Sequence, residues 1–241
     1  MSAVRVNEFG QRVGDPVPGW EARAVPGPVV LTGRYVRVQP LSSAHYADLF
    51  AALCGPEDGA LWTYRPIPRP STLAEAWMHF AAHVDDPGLV SFALVPAEGE
   101  YAGRPAGLAS YTRIEPATGQ VEVAGVLFSR SLQRTRAATE AIHLLIRHAF
   151  DDLGYRRFEW KCDSLNEPSR RAALRFGFVY EGRFRHHMIT QGRNRDTDWF
   201  AITDADWPDL RSAHERWLDP ANFDAGGQQR SRLGELTSAT A

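Results

Sequence analysis

The run Gln133-Arg134-Thr135-Arg136-Ala137-Ala138 is a short polar turn set directly before a long apolar-striped segment. A helix that opens there presents unpaired backbone N–H groups and partial positive charge, which suits an anion. Ala137 and Ala138 are small enough to let a phosphate reach the main chain. Arg134 and Arg136 add guanidinium groups that either pair with phosphate oxygens or point to solvent. Farther along, Ser169 follows Asn166 by three residues. Asn is a favoured N-cap, so Ser169 falls in the first turn of a helix, on one face with Ala172, Ala173 and Phe176. That face turns its hydroxyl inward. Glu122 lies between Val121 and Val123 and either faces a cleft as a proton acceptor or faces solvent as an ordinary strand residue. Glu181 and the pair His186-His187 are alternative bases. Adjacent strand residues face opposite sides, so at most one of these histidines lines a given cleft. Neither of these histidines has metal-ligand company, and no metal is expected. Cys162 alternates with Phe158 and Trp160 and reads as a buried small apolar residue, not a nucleophile. His143 and His148 read as helix surface or packing residues.

These residues need elements to position them. Arg34 to Val38 alternates as a strand does, and Ser42 looks like the N-cap of a helix to about Leu53. Gly55 to Pro70 holds several prolines and reads as a loop. Thr72 and Glu75 make a capping-box pattern for a second helix to about Val84. Leu89–Val95, Ala106–Ile114 and Val121–Phe128 read as strands. Ile142, Leu145, Ile146, Ala149 and Phe150 form one buried helical stripe that Gly154 ends. Arg157 to Cys162 alternates as a half-buried strand, and Asn166 opens a helix closed at Gly177. Two strands meet near Gln191-Gly192, and Asp204 to Leu218 reads as a last helix. The order β-α-α-β-β-β-α-β-α-β-β predicts a mixed α/β fold, one mixed sheet covered by helices.

The 241 residues are 44% hydrophobic, enough for a substantial core. A net charge of −2 gives no signal for nucleic acid as a partner. Two cysteines, Cys54 and Cys162, make no disulfide framework, which favours a reduced, cytoplasmic setting. The first residues lack the apolar core of a secretory signal, and no run is apolar enough to span a membrane. Residues 1–28 are expected to form an N-terminal arm anchored by Trp20, residues 29–218 the domain, and residues 219–241 a flexible tail.

The Gln133 turn, with Gln133 and Ala138 in place, resembles the pyrophosphate loop (Gln/Arg)-x-x-Gly-x-(Gly/Ala) of the GNAT acetyltransferases. Arg136 stands where that pattern has Gly. Asn166-x-x-Ser169 followed by Gly177-Phe178-x-x-Glu181-Gly182 is similar to the branch that includes bacterial ribosomal-protein N-terminal acetyltransferases. The resemblance spans about residues 29–211. It implies a GNAT fold, in which the strand before the loop and the strand after the helix splay apart within a central mixed sheet. It implies acetyl-CoA as co-substrate and an amine as acceptor. By position, Val126, Leu127 and Phe128 would pair with pantetheine through their backbone. Residues Gln133, Arg134, Thr135, Arg136, Ala137 and Ala138 would hold the pyrophosphate, and Asn166 would also touch the pantetheine arm.

The same resemblance implies direct attack of the amine on the thioester within a ternary complex. Ser169 would then protonate the departing thiolate, and Glu122 would accept the amine proton directly or through water. The acceptor would enter between the early helices and the last hairpin, where Trp62 and Tyr64 are either an apolar wall or packing rings. An α-amine near pKa 7.7 is roughly 15% neutral at pH 7, a lysine near 10.4 only about 0.04%. A weak base therefore suits a peptide N-terminus, although a small-molecule amine or a non-catalytic acyl-CoA-binding role stays open. The protein is expected to be a monomer, or a homodimer through an exposed hairpin edge.

Overall fold

A computed structural model of the chain describes residues 5–239. Its main sheet has eight strands: β3 (Leu31–Thr32), β4 (Val36–Pro40), β5 (Val90–Pro96), β6 (Gly107–Glu115), β7 (Gln120–Phe128), β8 (Arg157–Asp163), β9 (Val179–Thr190) and β10 (Arg193–Thr203). Their spatial order is β3-β4-β5-β6-β7-β8-β10-β9. Every neighbouring pair is antiparallel except β7 and β8. That one parallel pair needs a crossover, and the segment between them supplies it. The crossover is α3 (Arg136–Arg147), prolonged by a wider turn over His148–Asp152 and closed at Gly154, where φ is +66°.

The period-2 pattern of the strands sets the two faces. Val121, Val123, Phe158 and Trp160 point to one face and join Ile142, Leu145, Ile146 and Ala149 of α3 in the larger core. Ala93, Leu108 and Leu127 point to the other and pack on α1 (Tyr46–Leu53) and α2 (Leu73–Asp85) in a second core. Thr72 caps α2, its hydroxyl accepting from the Glu75 N–H at 3.2 Å, but the Glu75 carboxylate turns to Ser71 instead of completing the box. On the α3 face lie α4 (Glu167–Arg175), α5 (Trp207–Leu218) and α6 (Leu233–Ser238).

Glu140 ties the crossover to the sheet edge. Its buried carboxylate accepts the N–H groups of Arg34, Tyr35 and Val36 at 2.9, 2.6 and 3.0 Å. Gly33 packs on that carboxylate, and a Cβ there would collide with it.

Two expectations change and one, the arm, gains detail. Within the stretch read as loop, Pro56–Trp62 winds into a 3-10 helix whose first turn is held by the Asp58 carboxylate accepting from Gly55 N–H at 2.9 Å. The 1–28 arm carries, in its described part, a hairpin of β1 (Arg5–Val6) and β2 (Arg12–Val13). Its anchor is Trp20, whose indole donates to the Ala117 carbonyl at 2.8 Å and covers Gly119. The tail expected to be flexible over 219–241 is folded back through residue 239. Phe223 bridges Gln229, Trp217 donates to the Gln229 side chain at 2.8 Å, and Leu233 of α6 is fully buried. Leu233 and Thr237 fill a groove by α4 and α5, and this burial outweighs the polar composition that suggested fraying. Residues 1–4 and 240–241 of those two segments lie outside the described residues.

Candidate active site

The parallel pairing of β7 and β8 runs only from Gln120 opposite Arg157 to Val123 opposite Trp160. Beyond that rung β7 leaves β8. The departure has a local cause. Leu108 of β6 faces Leu127, but Ser110 faces Ala124, so β7 carries one extra residue there. Such a bulge bends its strand, and Gly125 absorbs the bend with φ of +65°. Residues 124–128 therefore have no strand partner on the β8 side. Their open backbone groups are the donors and acceptors an extended ligand can use. Val126, Leu127 and Phe128 all lie in this stretch.

The turn after β7 prepares a helix start. Thr135 is the N-cap of α3, its hydroxyl accepting from Ala138 N–H at 3.1 Å and donating to the Leu132 carbonyl at 2.7 Å. The N–H groups of Arg136 and Ala137 have no acceptor among the described residues and point out of the helix end. Gln133 ties the turn to the strand by donating to the Phe128 carbonyl at 3.2 Å.

Arg136 has partners of its own within the protein. It is the first helical residue of α3, and the residue with positive φ is Arg134, at +61°. A side chain at 136 therefore meets no backbone strain. Its guanidinium is turned to Glu98 at 2.9 Å and lies over the rings of Tyr35 and Phe223, 4.6 and 5.0 Å from their centroids. Arg134 is exposed and makes no ion pair among the described residues.

Two side chains bracket the splay. On the α3 face, Trp160 stands on the last paired rung and donates its indole N–H to Ser169 Oγ at 3.0 Å. Asn166 caps α4 by accepting from Ser169 N–H at 3.2 Å, which puts Ser169 at the third helical position. Because the indole supplies a donor, the Ser169 proton is directed away from Trp160, with the Cys162 sulfur as its resting neighbour. Burial raises the thiol pKa of nearby Cys162 to about 11, against a hydrogen bond from Ser169, so it stays protonated and is no nucleophile.

On the opposite face, one rung below, Glu122 is buried. The reading of it as a solvent-facing strand residue does not hold. Its carboxylate meets the Lys161 ammonium at 2.5 Å and the Arg113 guanidinium at 3.9 Å. Burial pushes its pKa above the ordinary carboxylate value, and the pull of Lys161 only partly opposes this. Glu181 is unsuited as a base: Arg157 grips it through two bonds of 2.8 and 2.6 Å and lowers its pKa. Both histidines are exposed; His187 lies on the Trp199 side of the hairpin, against Thr197 Oγ1 at 2.9 Å, and the His186 backbone N–H donates to Asp196.

On the α2 side the second of the two readings of the Trp62 and Tyr64 rings fits Trp62. Trp62 is 1% exposed and donates its indole N–H to the Leu53 carbonyl at 2.8 Å, so it is a packing ring and not a surface that an amine touches. Tyr64 is half-buried, and its hydroxyl reaches the Leu165 carbonyl at 2.9 Å, joining the early loop to the start of α4. Sequence reasoning missed what lines the cleft behind Trp62: His79 and His83 on α2, and Arg65 in the loop. His79 and His83 stand four apart on a helix, and that i, i+4 spacing was the available signal. Their rings are 4.9 Å apart, and His83 lies beside Gly125 at the bulge. Burial brings their pKa values to about 3 and about 4, so both are neutral at pH 7.

Among the described residues no group of acidic, His or Cys side chains could hold a metal, and no helix is long and apolar enough to cross a membrane. A family model for an acetyltransferase (GNAT) domain matches residues 36–179. The chain is similar to the crystal structure of a GCN5-related N-acetyltransferase from Brucella melitensis, with 40% identity and a TM-score of 0.88 over 92% of this chain and all of that one. It is also similar to a probable GNAT-family acetyltransferase from Chromobacterium violaceum ATCC 12472, with 34% identity and a TM-score of 0.74 over 81% of this chain and 96% of that one. A ribosomal-protein-serine acetyltransferase of Escherichia coli (strain K12) is 37% identical over 76 residues, a stretch covering 32% of this chain and only 42% of that protein. The bulged β7, the capped α3 and the matched sequence together place the chain in the GNAT family of acetyltransferases, whose members take their acetyl group from acetyl-CoA.

Proposed function

We propose that this protein transfers an acetyl group from acetyl-CoA to a peptide or protein N-terminal α-amine by direct attack in a ternary complex. The observation that carries the reading is the splay between β7 and β8, bracketed by Glu122 on one face and the Trp160–Ser169 pair on the other. Pantetheine lies along Val126, Leu127 and Phe128 and borrows their free backbone groups. The pyrophosphate sits at the N–H groups of Arg136 and Ala137, where the helix end favours negative charge. In this arrangement the Arg136 side chain braces the loop through Glu98 and Tyr35 rather than binding phosphate.

The amine approaches from the α1–α2 side. Glu122, with its raised pKa, is a better proton acceptor than an exposed carboxylate and takes the amine proton directly or through water. The carbonyl oxygen gathers charge as the tetrahedral intermediate forms, and unpaired β7 N–H groups are suited to hold it. Ser169 then gives its proton to the sulfur as the C–S bond breaks, which lowers the cost of expelling a thiolate whose thiol pKa is about 8.5. An α-amine suits this weak base better than lysine, because far more of it is neutral at pH 7. The similarity to a ribosomal-protein-serine acetyltransferase supports the same acceptor class. The test is release of free thiol from acetyl-CoA over a panel of N-terminal peptides and small amines, with products read by mass spectrometry. Turnover on α-amines is expected. Saturable acetyl-CoA binding without turnover on any amine would instead favour an acyl-CoA-binding module.

A further inference from the structure

We infer that the acceptor carries a carboxylate or phosphate close to its amine and that Arg65 and Arg195 receive it; this rests on the acetyl-transfer reading above. The cleft between α2 and the β9–β10 hairpin brings Arg113, Lys161 and Arg195 within electrostatic reach of His187, and Arg65 within reach of Arg195. Its one buried acid, Glu122, is already committed to Lys161 and Arg113. Arg65 and Arg195, one from each wall, have no carboxylate partner among the described residues. They lie close enough that Arg195, after burial, helps lower the Arg65 pKa to about 10.

The walls are held in place. Gln191 at the hairpin tip donates to the Arg65 carbonyl at 2.9 Å and to the Ile67 carbonyl at 3.3 Å, which fixes the Arg65 loop against β9 and β10. Arg195 Nε reaches Thr197 Oγ1 at 3.3 Å, beside His187 and two residues from Trp199. The same cleft gathers unsatisfied groups. Six buried side-chain atoms lack a hydrogen-bond partner among the described residues. Arg65 Nε, His79 Nε2 and His83 Nδ1 are three of them, the paired His79 and His83 rings lying within electrostatic reach of Arg65, and Trp199 Nε1, beside Lys161 and His187, is a fourth. A half-buried guanidinium whose buried Nε has no partner and a buried indole N–H without an acceptor both carry a desolvation cost that an oxygen-rich anion removes. His83 lies beside the β7 bulge, so an anion held here is within one small substrate's length of the splay.

The experiment compares kcat/KM for matched acceptors: peptides with Glu or Gln at the second position, an amino acid and its amide, and a phosphorylated amine and its alcohol. A preference of at least tenfold for the anionic member is expected in one or more pairs, and which pair shows it separates carboxylate from phosphate. In R65Q and R195Q that ratio should fall toward one, mainly through KM, while R65K retains part of it. Ratios within twofold in every pair, or an unchanged ratio in R65Q and R195Q at wild-type thermal stability, would overturn the inference and leave acetyl transfer standing. If no acceptor turns over, the acetyl-transfer reading fails separately. Calorimetric binding of the same pairs to the CoA-loaded protein then decides: tighter binding of the anionic member, lost in R65Q, supports the anion site, and equal binding overturns it.

Discussion

Ser169 and Glu122 divide the proton traffic because their surroundings differ. Ser169 receives an N–H from Trp160 and so presents its own proton, whereas Glu122 is buried against a lysine. Ser169→Ala should lower kcat on the order of 10²-fold with little change in acetyl-CoA affinity, measured by thiol release and calorimetry. A change confined to affinity would mean that Ser169 only shapes the helix start. Glu122 must be ionised to accept a proton, and burial raises its pKa. The acidic limb of kcat/KM should therefore lie above the usual carboxylate range, with activity rising as pH climbs through it, and E122Q should abolish that limb. A wild-type profile in E122Q would pass the role to another group, with His187, on the Trp199 side of the hairpin, the next choice. At position 136, R136A should leave acetyl-CoA affinity within about twofold and cost on the order of 1 kcal/mol of stability through the lost Glu98 and Tyr35 contacts.

Among the elements, α3 carries the most. Its first turn offers N–H groups to an anion, its stripe fills the larger core, and Glu140 fastens it to the turn between β3 and β4. Glu140→Ala would leave three N–H groups unpaired beside the core. A loss of about 3 kcal/mol or more is expected in denaturant unfolding, with the m-value preserved. A loss below 1 kcal/mol would show that water replaces the carboxylate at no cost. The striped helix, the Asn166 cap and the alternating β8 were all legible, since each obeys a local periodicity or a local cap. The C-terminal α6 was not. Leu233 is one apolar residue in a polar stretch, and only the groove by α4 and α5 makes it core.

Across the whole molecule, buried neutral histidines set the response to acid. His214 sits against the Phe176 carbonyl at 3.0 Å, with His143 at 3.4 Å, and burial lowers their pKa values to about 3 and about 4. An unfolded histidine titrates near 6.5, so between that pH and the folded values the unfolded chain binds more protons. Stability from these groups is full above about pH 6.5 and is lost as pH falls, by about 1.4 kcal/mol per pH unit for each. Thermal midpoints should fall steadily from pH 6.5 to 4, and H214Q should flatten part of that slope. A flat profile would place these rings in contact with solvent.

By itself the sequence determined the order of the main strands and helices from β4 to α5, the polar turn at Gln133 to Ala138 and the Asn166–Ser169 start, because periodicity and capping act over a few residues. It could not say where Arg136 points, that Trp62 is core, or that Glu122 is buried, since each depends on neighbours from distant strands. The splay itself is a property of pairing. It arises from one extra residue in β7 between Leu108 and Ser110 of β6, a register that only the assembled sheet establishes. The cationic cleft likewise exists only once Arg65 and Arg195, 130 positions apart in the chain, are brought to one space by the docking of Gln191 on the early loop.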